Sequence, residues 1–289
     1  MKISEENVSS SECGAGTMNT FELPTTLFEY LNAVDRIEGW LSPTAGYAMS
    51  AILRWQSARD ETGNIAEIGI HHGKSFLPLA LCAEPGDRLL AIDCFDAQEA
   101  NIDGSGKGDL DAFQANLKTW VPNRNIEIIS SDSAEVRHRM PDHAISDLRF
   151  LSIDGAHTKD MTRNDLEIAD LALTPYGICV LDDFMNAWWT GVMSGFFEFT
   201  RYSGGLQPVA LIPNKLVLAR PRSVTPCKTF LREALGSLLL KTDTELADGT
   251  VDFYRDFDSA SAPWADLPDP LEKRHDQRSK MRSAWVTLG

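Results

Sequence analysis

The chain has no CxxC pair, and its five cysteines (Cys13, Cys82, Cys94, Cys179, Cys227) are odd in number and widely scattered. That pattern argues against a disulfide framework or a metal-thiolate site and predicts buried thiols in a reducing compartment. Basic residues are also scarce, with 27 Lys and Arg against 42 Asp and Glu and a formal net charge of −15. Binding nucleic acid or an anionic membrane non-specifically needs clustered cations, so neither partner is expected and a small molecule is. No apolar run approaches the length of a bilayer span, and the first 19 residues lack the apolar core of a signal peptide, so a cytoplasmic location is expected. No internal repeat is visible.

What is present suits a globular enzyme-sized unit, since 289 residues with 43% hydrophobic content can bury a sizeable core. The first 19 residues are polar and predict a mobile tail, and residues 1–45 together read as a tail and cap segment. A helical pattern starts at Tyr47, with Met49, Ile52 and Leu53 on one face. Five short apolar segments bounded by turn residues then read as buried strands: NIAEIGI (64–70), RLLAIDCF (88–95), NIEIISS (125–131), LRFLSID (148–154) and YGICVLDD (176–183). Strands without polar alternation, separated by helix-like stretches, imply a parallel sheet covered on both faces, a doubly wound α/β fold. Two more strand candidates, LQPVALI and NKLVLAR, are too close for a crossover and predict an antiparallel hairpin at the sheet edge. Residues 46–220 are the predicted ligand-binding domain. Residues 221–289, containing the amphipathic stretch CKTFLREALGSLLLKT, are a predicted helical and irregular extension.

The first strand runs into EIGIHHGKS, residues 67–75. This is neither the GxGxxG fingerprint nor a P-loop, which disfavours phosphate binding. Gly69 and Gly73 would let a ligand approach the backbone while the helix opening at Ser75 supplies donors. Asp93, at the end of the second strand, is placed to accept both hydroxyls of a ribose. Ser131-Asp132-Ser133 follow the third strand, where they can meet an adenine edge. These residues resemble the class I S-adenosylmethionine-dependent methyltransferases, over roughly residues 45–220. The resemblance implies a Rossmann-like methyltransferase fold and makes Glu67, Gly69, Gly73, Ser75, Asp93, Asp132 and Ser133 cofactor-binding.

The fourth and fifth strands end in acids: Asp154 in FLSIDGAHTK, and Asp182 with Asp183 in VLDDF. In a parallel sheet these ends lie along one edge, so three carboxylates would converge and repel. A hard divalent cation relieves that repulsion, and all-oxygen donors favour Mg²⁺, with Mn²⁺ or Ca²⁺ as substitutes. DGxH followed 28 residues later by DD resembles the metal-dependent O-methyltransferases, especially those acting on sugars of macrolides and related natural products. The resemblance implies Asp154, Asp182 and Asp183 as metal ligands and His157 as general base. The catechol branch carries a lysine at that place, and here Lys159 lies two residues further on. The sugar branch usually shows Glu-Asp where this chain has Asp182-Asp183. A metal holding two adjacent substrate oxygens implies a vicinal diol as acceptor.

Two other readings stay open: a metal-independent O- or N-methyltransferase, and a catalytically silent methyltransferase-like binding protein. His71 and His72 sit in the cofactor loop, where they face solvent or touch substrate or cofactor, with solvent favoured, and His138, His143 and His275 read as surface residues. The segment 97–113 lacks the register of a calcium loop and reads as a lid near the site. Trp188 and Trp189 fit a substrate wall or the core equally. Asn214-Lys215 is placed to reach the pocket. The family analogy implies a homo-oligomer mediated by residues 1–45 and 221–289.

Overall fold

The computed structural model describes residues 22–97, 99, 101–140, 145–258 and 261–265. The polar first 19 residues, Cys13, His143 and His275 lie outside the described residues. Two helices, α1 (Thr25–Asn32) and α2 (Pro43–Ala58), precede the first strand. The helix expected from Tyr47 opens at Pro43, because the Ser42 side chain accepts a hydrogen bond from Ala45 N at 3.3 Å and proline is pre-set for the first helical position. The boundary drawn after residue 45 therefore falls inside the first turn of α2.

Strand and helix then alternate: β1 (Asn64–Ile68), α3 (Phe76–Cys82), β2 (Leu89–Asp93), α4 (Leu110–Trp120), β3 (Ile126–Ser130), α5 (Ser133–His138), β4 (Leu148–Ile153), α6 (Lys159–Ala172), β5 (Leu173–Leu181) and α7 (Thr190–Thr200). Each of the five expected strands is found. Their helices start on side-chain caps: Asp109 for α4, Asp132 for α5 and Thr158 for α6 each accept from the backbone three residues on. Strands β1 to β5 pair in parallel in the order β3-β2-β1-β4-β5. Successive residues of each strand feed opposite cores. Phe150, Ile178 and Val180 pack with α2, α3 and α8 (Pro221–Ala234), while Leu151, Ile153, Cys179 and Leu181 pack with α6 and α7.

The expected hairpin is present as β6 (Gln207–Ile212) and β7 (Lys215–Ala219), with β7 inserted antiparallel between β5 and β6. It is not at the sheet edge. Two further strands, β8 (Leu239–Leu246) and β9 (Gly249–Tyr254), form an antiparallel hairpin that extends the sheet to nine strands, with β9 parallel to β6. The extension expected to be helical and irregular thus adds α8 and two strands to the same sheet. The amphipathic stretch expected to be helical through Thr242 ends as helix at Ala234, and β8 is obscured in the sequence because it carries Lys241, Asp243 and Glu245 on an exposed edge, where charge rather than apolar alternation guards the open ladder. The fully buried Asp252 ties β9 to α8 by accepting from Arg232 Nε at 2.6 Å.

Of the described cysteines, Cys82, Cys179 and Cys227 are buried free thiols, as expected. Cys94 departs from that reading, because it follows β2 and lines the cavity described next.

Candidate active site

Ile68 pairs with Ile153, and Ile153 with Leu181, so Gly69, Asp154 and Asp182 leave the sheet at one level. Asp154 N donates to Ile68 O at 2.7 Å and Asp182 N to Ile153 O at 2.9 Å, carrying the ladder one residue past the strands. A cavity of about 840 Å³ opens at this edge. It lies where ligands bind in open α/β sheets.

One half of the cavity is built from the ends of β1, β2 and β3. Gly69 and Gly73 have φ of +85° and +86°. A Cβ on Gly69 would stand 1.8 Å from Asp154 O, and one on Gly73 would stand 2.6 Å from the Phe113 ring. These glycines are needed for close packing of the chain on itself, a role that composition alone did not separate from ligand approach. Glu67 is fully buried, accepts a short hydrogen bond from Ser75 Oγ, and burial pushes its carboxyl up to about 8. Neither Glu67 nor Gly73, both expected to bind cofactor, is among the residues lining the cavity; Glu67 holds Ser75 and Gly73 packs against Phe113. Gly69, Ser75, Asp93, Asp132 and Ser133 do line it. Asp93 accepts from Ile70 N at 2.6 Å, His71 N at 2.8 Å and Phe95 N at 2.6 Å, so its carboxylate fixes the glycine loop as well as facing the cavity. Asp132 caps α5 through Glu135 N at 2.9 Å.

The other half is acidic. The Asp182 carboxylate forms a buried, short ion pair with Lys215 and accepts from Asn214 Nδ2 at 2.8 Å. Asp183, in the left-handed region at φ +56°, turns its side chain toward His157, whose Nε2 lies 2.9 Å from Asp183 Oδ2 and 3.9 Å from Asp154 Oδ1. The Nε2–Asp183 approach is a charge contact without hydrogen-bond alignment. Asn214 and Asn186 donate to Asp183 Oδ1 at 2.8 and 2.6 Å. These donors and His157 hold the Asp183 carboxyl at about 2, against the opposing effect of burial. No lysine or arginine among the described residues pairs with Asp154. Its carboxyl is raised well above the usual range by burial and by Asp182 and Asp183, with Lys215 offsetting only part. Burial would lower the His157 imidazole, but Asp183 and Asp103 outweigh it and raise it.

Asp103 is the residue sequence reasoning missed. It sits on the loop before α4, and its Oδ2 accepts from His157 N at 2.6 Å and lies 2.9 Å from Nδ1, while Oδ1 accepts from Ser105 N at 2.9 Å and Ser105 Oγ at 2.6 Å. With Nδ1 held against Asp103, Nε2 faces Asp154 and Asp183 and is the nitrogen that gains or loses a proton there. The Trp189 ring stacks on the imidazole at 4.3 Å and 18°. Neighbouring loop residues Ile102, Ser105 and Gly106 line the cavity, which places the predicted lid at the site.

His71 and His72 do not face solvent as expected; their rings stack at 4.2 Å, and His71 lines the cavity with Nδ1 buried. His138 is exposed at the end of α5, as expected. Trp188 and Trp189 both line the cavity, and so does Asn214, whereas Lys215 is sequestered by Asp182.

Asp154 and Asp183 fit a divalent cation, with His157 beside them. Asp154, His157 and Asp183 each offer one ligand atom, all within 4.8 Å of one another. Asp182, the third expected ligand, is already neutralised by the Lys215 ammonium. The observation that favours a cation is the carboxyl of Asp154, which lacks a paired positive charge beside two other acids.

A family model described as a methyltransferase domain matches residues 66–184. No curated protein sequence matches the chain. Among solved structures, the O-methyltransferase NovP superposes with a TM-score of 0.52 at 12% identity, covering 61% of this chain and 80% of that one. The O-methyltransferase from Bacillus cereus in complex with SAH gives 0.51 at 18% identity, covering 68% and 90%. Cofactor-bound Rv0187 from MTB gives 0.51 at 16% identity, covering 69% and 90%. Residues 66–184 therefore match a methyltransferase domain, and the fold of the chain is that of these solved methyltransferase structures.

Proposed function

We propose that the protein is an O-methyltransferase that moves the methyl group of S-adenosylmethionine to one hydroxyl of a vicinal diol on a small molecule, a sugar or natural-product intermediate. The observation that carries this reading is the placement of Asp154, His157 and Asp183 in the same cavity as Gly69, Asp93 and Ser133. Two of the structural neighbours are named as O-methyltransferases, which supports oxygen as the acceptor atom.

S-adenosylmethionine supplies an activated methyl group on a positively charged sulfur, a charge that suits an acid-lined cavity. Mg²⁺, or Mn²⁺ or Ca²⁺ in its place, would be held by Asp154 and Asp183 and would supply the charge that lowers a hydroxyl pKa and favours neutral His157. The chain's own residues do the rest. Asp93 and the Ser131–Ser133 turn bind and orient the nucleoside end. Asp103 and Trp189 fix the plane and tautomer of His157. Its Nε2 takes the hydroxyl proton as the carbon–oxygen bond forms and the carbon–sulfur bond breaks, the electron pair going to sulfur. Asn186 and Asn214 hold Asp183 in its left-handed backbone position.

A metal-independent transfer is the second reading, favoured by the Lys215–Asp182 pair, which already supplies one positive charge at the strand ends. Transfer of labelled methyl from S-adenosylmethionine to a panel of vicinal diols, with EDTA and then with added Mg²⁺ or Mn²⁺, separates the two. The proposal expects product only with the cation. Equal product in EDTA would establish the metal-independent route.

A further inference from the structure

Two tryptophans among the described residues are largely exposed, Trp40 at 77% and Trp188 at 88%, and both line the active-site cavity. Ile102, 60% exposed on the Asp103 loop, is a third apolar residue on the same lining. An exposed indole forgoes a large burial gain, and apolar surface gathered at one cavity marks a contact with an apolar ligand. Trp40 packs beside the loop where it stands, its ring 5.9 Å from the His71 ring.

The charges of the same lining point the other way from a phosphorylated ligand. Asp93, Asp132, Asp154, Asp182 and Asp183 all line the cavity. Lys74 is the one lysine or arginine among the described lining residues, and its ammonium is committed to Gly39 O at 3.0 Å and lies 3.7 Å from Asp35. Lys107, on the Asp103 loop, is exposed and does not line the cavity. A diphosphate or carboxylate on the acceptor would find no uncommitted lysine or arginine among the described lining residues to pair with it.

We infer that the acceptor is an uncharged vicinal diol carried on a flat apolar body, which rests on Trp40, Ile102 and Trp188 while the diol reaches Asp154, Asp183 and His157. The same lining disfavours a nucleotide-activated or phosphorylated sugar. The inference rests on reading the cavity as a diol methyl-transfer site, and it adds the part of the acceptor that remote binding would use.

The test holds the diol constant and changes the body. Catechol, 2,3-dihydroxynaphthalene and catechol 4-phosphate are titrated calorimetrically into protein saturated with S-adenosylhomocysteine and Mg²⁺. The expected result is that the naphthalene binds about tenfold tighter than catechol and the phosphate weaker than catechol. Trp40→Ala and Trp188→Ala should each erase much of the naphthalene advantage, and Trp188→Phe should keep most of it. Tighter binding of the phosphate, or a naphthalene-to-catechol ratio unchanged in both alanine variants, would overturn the inference. The methyl-transfer reading fails separately: naphthalene that binds through Trp40 and Trp188 but yields no methylated product with Mg²⁺ or Mn²⁺ sinks that reading and leaves the apolar-body site standing.

Discussion

The two halves of the cavity satisfy their polar groups in opposite ways. On the β1–β3 side, Asp93 accepts from three backbone N–H groups and keeps acceptor capacity for a ligand, Asp132 caps a helix, and Glu67 holds Ser75. That half is held largely by its own hydrogen bonds and presents a preformed surface, although Glu67 Oε2 and His71 Nδ1 are buried without a hydrogen-bond partner. On the β4–β5 side, Asp154 has no paired cation, His157 Nε2 has no aligned hydrogen bond, and Asp183 sits in a left-handed backbone position that non-glycine residues seldom adopt. Unsatisfied groups in a folded protein mark where something else is to bind. A nucleoside can dock on a preformed face, whereas reaction chemistry needs charges that are held short of balance until substrate and cation arrive.

The largest expected effect falls on the unbalanced half. His157→Ala should bind S-adenosylhomocysteine as the native protein does and lose about 10²–10⁴-fold in kcat, measured by methyl transfer to the best diol found. Undiminished kcat would remove His157 as the base. Asp103→Asn should cost less, about tenfold in kcat, because it loosens the imidazole without removing it; an unchanged kcat would show that the loop contact does not position the ring.

Lys215→Met attacks the charge balance directly. It leaves Asp182 buried without its ammonium, so urea unfolding in EDTA should show a loss of about 3 kcal/mol. Mg²⁺ or Mn²⁺ should recover part of that loss, since a cation that binds only the folded state stabilises it. Loss without recovery would mean that Asp182 cannot face the cation site.

The smallest effect lies beneath Gly155, where a Cβ would stand 2.7 Å from the fully buried Asp165 Oδ2. Burial pushes the Asp165 carboxyl up to about 7. Between roughly pH 4 and 7 the folded protein therefore holds a proton that the unfolded chain releases, so its contribution to stability is present in acid and is lost as pH rises. Relative to native protein, Asp165→Asn should gain at least about 1 kcal/mol at pH 8 over its position at pH 4. A pH-independent difference would show that Asp165 is ionised in the fold.

Much of this was legible in the sequence where one residue's neighbours decide its state. Strands β1 to β5 are buried on both faces, so their apolar runs stand out, and parallel pairing alone brings Asp154 and Asp183 to one edge. The rest depends on register and loop closure. Leu181 pairs with Leu216, which sets Lys215 level with Asp182, but that follows only once β7 is known to lie against β5. Asp103 lies 54 positions from His157 in a loop without periodicity, and no local signal joins them. The strands β8 and β9 were hidden by the charges that keep an edge strand soluble, although Asp248-Gly249, where the connection meets β9, is a hairpin signal that could have been used.

The central claim is that Asp154 and Asp183 hold a divalent cation beside bound cofactor. Calorimetric titration of Mn²⁺ into protein saturated with S-adenosylhomocysteine, native against Asp183→Asn, tests it most directly. The account predicts saturable binding in the native protein that the substitution abolishes. No binding to the native protein, or equal binding to both, would contradict it.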